Sequence, residues 1–150
     1  MEMKSGQNVI YCGTVYSITN RQSGQIGFLA GMIDAGLFTD LELPLHSNPQ
    51  VSEMGSKILG FMMSNSTDGI NYLEDVILGG LVKEEYTKQI KNGQIPNNEI
   101  RVILAQVFAL LALSDYWDCP IITKDCADFI ALCLSATDPQ SVKEWFSRII

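Results

Sequence analysis

The chain has 150 residues, 47% of them hydrophobic and 18% charged, and its 17 acidic against 10 basic residues leave a formal net charge of −7. That length and apolar content suit one compact domain and exclude a disordered chain, which combines low hydrophobicity with high net charge. The lack of clustered Lys and Arg excludes a nucleic-acid binder, because phosphate neutralisation needs them, and the acidic balance favours basic protein surfaces as partners.

The amino terminus, residues 1–8, has no basic cluster followed by an apolar core, so no secretion leader is read there and a cytoplasmic location is expected. Residues 8–18 carry Val9, Ile10, Tyr11, Val15, Tyr16 and Ile18, a β-rich composition interrupted by Gly13 that leaves strand and helix both open. Over residues 23–37, Ile26, Phe28, Leu29, Met32 and Ile33 recur at helical spacing, with Gly36 as a stop. Pro44 and Pro49 make the next stretch irregular until Asn48 caps a helix over residues 49–63 with Pro49 at its first position. The turn-forming run Ser64, Asn65, Ser66, Thr67, Asp68 and Gly69 predicts a linker inside the domain. Beyond it, Ile70, Leu73, Val76 and Ile77 give a short helical stripe ending near Gly79 and Gly80, and a further helix is expected over residues 82–90 before Asn92 and Gly93.

From Asn98 onward the local signals agree. Asn97 or Asn98 caps, Glu99 complements the helix dipole, and residues 100–113 are interrupted by polar side chains only at Arg101 and Gln106, which predicts a buried central helix. The same two residues divide the longest candidate membrane span, so none is expected. Pro120 is read as extended, with Thr123 capping a helix over residues 124–135. Asp138 and Pro139 announce a last helix carrying Val142, Trp145, Phe146, Ile149 and Ile150 along one side. The sum is a mainly α, compact multi-helix bundle, with a short amino-terminal strand or hairpin as an option.

Chemistry-bearing residues are sparse. Cys119, Cys126 and Cys133 stand seven apart, a spacing that suits small buried hydrophobes and lacks the close ligand pairs of zinc sites; with Cys12 they are read as reduced thiols. His46, the only histidine, lies among prolines and reads as a solvated loop residue. Gly24, Gly27 and Gly31 form no phosphate-binding fingerprint and read as packing points or helix ends. No cofactor is expected.

The concentration of function-bearing types is at residues 115–128, where Asp115, Asp118, Asp125 and Asp128 surround Tyr116 and Trp117. Carboxylates at this density suggest either a divalent-metal site or an acidic rim around aromatic anchors. Residues 109–125, ending in Cys119, Pro120, Ile121, Ile122, Thr123, Lys124 and Asp125, resemble the late helix, strand and Thr-x-Asp of PIN-domain ribonucleases. That resemblance covers about a sixth of the chain and implies an α/β fold in which Asp125 serves a metal-dependent nuclease. Val107 and Phe108 stand where the family has a carboxylate, and residues 10–13 of the first strand offer none.

The reading that follows is an acidic, non-catalytic binding protein. It is of the immunity or antitoxin kind, covering a basic surface or the active site of a toxin nuclease, with Asp115, Tyr116, Trp117, Asp118, Asp125 and Asp128 on its partner-binding side. Two alternatives are a divalent-metal nuclease or degenerate PIN-like protein, and a structural subunit of a homo-oligomer.

Overall fold

A computed structural model describes residues 6–36, 41–65, 71–136, 139, 140 and 143. The fold is mainly α with a small amino-terminal sheet, as the residue pattern predicts. The ambiguous residues 8–18 resolve as a hairpin of β1 (Gly6–Tyr11) and β2 (Thr14–Thr19). Cys12 at φ 53° and Gly13 at φ 78° form its two-residue turn, and positive φ at both positions matches the twist of the flanking strands. Each arm alternates separately, so a single window laid across the turn blurs both. Val9, Tyr11, Tyr16 and Ile18 face the core, whereas Asn8, Val15 and Ser17 face outward. A two-residue β3 (Leu41–Glu42) runs parallel to β1, pairing Val9 with Leu41 and Ile10 with Glu42, which gives the strand order β2-β1-β3.

The helix expected over residues 23–37 is two helices. α1 (Asn20–Gly24) starts at a capping box in which Thr19 Oγ1 accepts from the Gln22 amide and Gln22 Oε1 accepts from the Thr19 amide. Ile26 then turns extended, at φ −105° and ψ 104°, before α2 (Gly27–Asp34) begins. Helical periodicity is blind to this break, because its cause is distant: the first amides of α2 bond to carbonyls near residue 117. Gly36 closes the segment at φ 88°, and Leu37 lies outside the described residues.

α3 (Pro49–Ser64) matches expectation at its start. Asn48 Oδ1 accepts from the Gln50 amide at 2.8 Å, and Pro49 occupies the first turn. Its buried stripe of Val51, Met54, Gly55, Ile58, Leu59 and Met62 packs behind the sheet, where the Tyr11 hydroxyl donates to the Ser52 carbonyl at 2.8 Å. Of the expected linker, residues 66–69 lie outside the described residues. Of the stripe after it, Ile70 also lies outside them, and Leu73, Val76 and Ile77 are wound in a π-helical segment (Leu73–Ile77) that ends at Gly79 and Gly80, both at positive φ. Residues 82–90 give α4 (Lys83–Lys91), followed by Gly93 at φ 72°.

α5 (Asn97–Tyr116) begins one or two residues earlier than expected, with Pro96 rather than Asn97 or Asn98 at the cap and no side-chain capping bond. It is not buried all round. Ile100, Leu104, Val107, Leu110 and Leu113 enter the core, but Val102 is 57% exposed, because α3, α6 and the π-helical segment pack along one side of the helix. α6 (Pro120–Ala136) also departs from the sequence reading. Pro120 is its first residue, which needs no amide donor, and Thr123 lies one turn inside, its hydroxyl donating to the Cys119 carbonyl at 3.1 Å. The strand that the PIN resemblance requires here is therefore helix, and the α/β alternative is overturned. Pro139, Gln140 and Lys143 are helical, while the rest of the expected last helix lies outside the described residues.

Candidate functional site

The end of α5 decides how residues 115–118 are used. The Cys119 amide donates to the Ser114 carbonyl at 2.7 Å and the Asp118 amide to the Asp115 carbonyl at 3.3 Å. With Asp118 at φ 58°, this is a Schellman ending in which aspartate fills the position usually held by glycine. The turn leaves the carbonyls of Trp117 and Asp118 pointing away from the helix. They accept from the amides of Phe28, at 3.0 Å, and Gly27, at 2.7 Å. Two of the unpaired amides that open α2 are thereby satisfied by the end of α5. Gly27 is required for this approach, since a Cβ there would stand 2.5 Å from the Asp118 carbonyl oxygen. Gly24 and Gly31 face open space and have no such role.

Of the six residues singled out by sequence, Asp115, Tyr116 and Asp118 share a surface. Trp117 does not: it is 1% exposed, its ring meets Tyr11 edge-on at 5.3 Å, and its Nε1 donates to the Pro44 carbonyl at 3.4 Å. Gly55 provides the room, because a Cβ there would fall 2.6 Å from the Tyr11 hydroxyl and 3.0 Å from the Trp117 ring. Tyr116 is 44% exposed; its hydroxyl donates to the Leu45 carbonyl at 3.3 Å and its ring meets His46 edge-on at 5.1 Å. His46, expected to be a free loop residue, is partly covered, and its Nδ1 accepts from the Asn48 amide at 3.0 Å.

Asp125 and Asp128 serve α6 and its neighbours. Asp128 takes a 2.9 Å ion pair from Lys124 one turn earlier, which lowers its carboxyl pKa and raises that of the lysine. Asp125 turns towards the π-helical segment and accepts from the Asn71 side-chain amide at 3.2 Å. Partial burial, with further contributions from Glu74 and Asp128, raises its pKa above the ordinary value, against the pull of Lys83 and Lys124. Glu74 Oε2 meanwhile accepts from the Lys83 amide at 2.9 Å. Among the described residues, no group of three or more His, Cys, Asp or Glu side chains is placed to hold a metal ion. Cys119, Cys126 and Cys133 are buried, and burial pushes each thiol up to about 12, so they remain protonated, packed side chains.

The surface around Tyr116 is completed by residues that sequence reasoning missed or misplaced. Phe28, grouped by periodicity with the core, is 40% exposed, and Leu45 is 52% exposed. Both border a hollow of about 570 Å³ that also includes Glu42 and Pro44. Asp115 and Asp118 border a separate, smaller hollow of about 330 Å³ with Thr123 and Lys124. Phe28 is brought here by its amide bond to Trp117, and Leu45 by the Trp117 bond to Pro44; neither link leaves a local signal in the sequence. Phe28 and Leu45 thus share an exposed hollow with Glu42, the exposed Tyr116 adjoins it through its bond to the Leu45 carbonyl, and Asp115 and Asp118 border the second hollow. No helix among the described residues is long and apolar enough to cross a membrane. No family model, curated protein or solved structure matches the chain.

Proposed function

We propose that the protein is a non-catalytic binding protein that covers a basic surface of another protein, as an immunity or antitoxin protein covers the active site of a toxin nuclease. One observation carries the reading: exposed Phe28 and Leu45 share a hollow with Glu42, and exposed Tyr116, bonded to Leu45, follows Asp115 in the sequence of a molecule of net charge −7. Apolar and aromatic side chains that lose water on docking supply most of an interface's affinity. Surrounding carboxylates speed encounter with a cationic partner and select against acidic ones. The surface rests on a fixed base, since Trp117 ties Tyr116 and Leu45 to the core, so little ordering cost opposes binding. A cytoplasmic site of action suits a chain whose three buried cysteines are free thiols.

The test is co-expression with the products of adjacent genes, followed by affinity measurement across a salt series. A basic partner is expected to bind, with affinity that falls as salt screens the carboxylates. Tyr116→Ala, and Asp115→Asn combined with Asp118→Asn, should each weaken that complex. Absence of any such partner, or binding unchanged in the double variant, rejects the reading. The metal-nuclease alternative makes a separate demand, a magnesium- or manganese-dependent rise in melting temperature that Asp125→Asn abolishes.

A further inference from the structure

The outer edge of β2 is an interaction surface, and we propose that it pairs with β2 of a second copy of this chain to join the two small sheets. The argument starts from the hairpin register. Tyr11 and Thr14 flank the two-residue turn and pair, followed by Ile10 with Val15, Val9 with Tyr16 and Asn8 with Ser17. Antiparallel pairs alternate between those that exchange backbone bonds and those that do not. Tyr11 and Thr14, next to the turn, exchange them, so Val9 and Tyr16 do too, whereas Ile10 with Val15 and Asn8 with Ser17 do not. The far side of β1 agrees: the Ile10 carbonyl points away from β2 and accepts from the Leu43 amide at 3.1 Å. By the same alternation the amides and carbonyls of Val15 and Ser17 point away from β1. β2 is the end strand of the sheet, and no backbone bond to these outward groups is found among the described residues.

Edge strands are ordinarily guarded by charge, proline or a bulge. This one has none of them. Residues 6–19 contain no Asp, Glu, Lys, Arg or Pro, the register is unbroken over the hairpin, and Val15 is 57% exposed.

A second copy fits that edge for two reasons. With a two-fold axis beside Tyr16, the outward amide and carbonyl of each Val15 meet those of Ser17 in the other copy, so the strand is its own complement and the contact closes on itself. Two molecules of charge −7 also repel, and the uncharged hairpin is where they approach with least penalty. β3 lies at the opposite edge of the sheet, so this pairing uses a different strand and does not depend on the function proposed for the Tyr116 surface.

Sedimentation equilibrium across a concentration series tests the pairing, together with amide exchange at Val15 and Ser17. A dimer is expected, with exchange at those two amides slowing as concentration rises while Tyr16, bonded to Val9 within the hairpin, stays protected throughout. Ser17→Pro removes an outward amide without touching the β1 ladder, and Val15→Lys places a charge on the edge. Each should raise the dimer dissociation constant about tenfold or more with the far-UV spectrum unchanged; should Ser17→Pro fail to fold, Val15→Lys decides alone. A wild-type chain that stays monomeric, a dimer that persists in Val15→Lys, or exchange at Val15 and Ser17 that ignores concentration overturns the proposal. So does protection of these amides by a different protein's strand only.

Discussion

Asp118 combines a backbone requirement with a surface charge. Its φ of 58° falls where most L-residues pay about 1 to 2 kcal/mol and where Asp and Asn are tolerated best. Asp118→Asn should therefore keep the turn, leaving the denaturation midpoint almost unchanged while removing one carboxylate from the face proposed to bind a partner. Asp118→Val retains neither, and a loss of at least about 1 to 2 kcal/mol in urea denaturation is expected. Asp125 illustrates the opposite balance, a carboxylate whose ionised form is disfavoured by burial. Because its folded pKa is raised above the ordinary value of 3.8, its contribution to stability is fully present below that value and is lost as pH rises through the folded pKa. Asp125→Asn, which still accepts from Asn71, should melt higher than wild type near neutral pH. That advantage should shrink towards zero in acid, and melting curves across the pH range check it.

At the level of elements, the helices with complete local signals were legible. Asn48 and Pro49 announced α3, and the structure uses both. Asn48→Ala should cost about 1 kcal/mol by losing that cap, measurable as a lower thermal midpoint. The local pattern misleads where a distant partner overrides it. The break at Ile26 exists because Gly27 and Phe28 bond to residues 118 and 117, and no window of neighbouring residues contains that information. Pro120 taken locally suits an extended stretch, although proline is equally at home in a first helical turn; what decides is the Schellman ending of α5, which aims the chain directly into α6. The candidate site was half legible for the same reason. Residues 115–118 form one stretch of sequence, but their side chains divide between surface and core, and Phe28 and Leu45 join the surface through distant bonds, from the Phe28 amide to the Trp117 carbonyl and from the Trp117 and Tyr116 side chains to the Pro44 and Leu45 carbonyls.

Across the whole molecule, Trp117 connects the two halves of the chain. It fills a space bounded by Tyr11, Pro44 and Gly55, all of them in the first half, while its own backbone ends α5. Trp117→Ala should cost about 3 to 5 kcal/mol, the range for emptying a large aromatic site, with loss of hairpin amide protection as the distinguishing readout. The same geometry sets an order of events during synthesis. Translation proceeds at about 5 to 20 residues per second, so the chain between Gly55 and Trp117 takes on the order of several seconds to emerge. For that interval Tyr11 and Gly55 face a space with no indole to fill it, and the hairpin and α3 wait half-assembled. A nascent chain arrested before residue 117 should consequently remain open to protease at the hairpin, and one released past it should close.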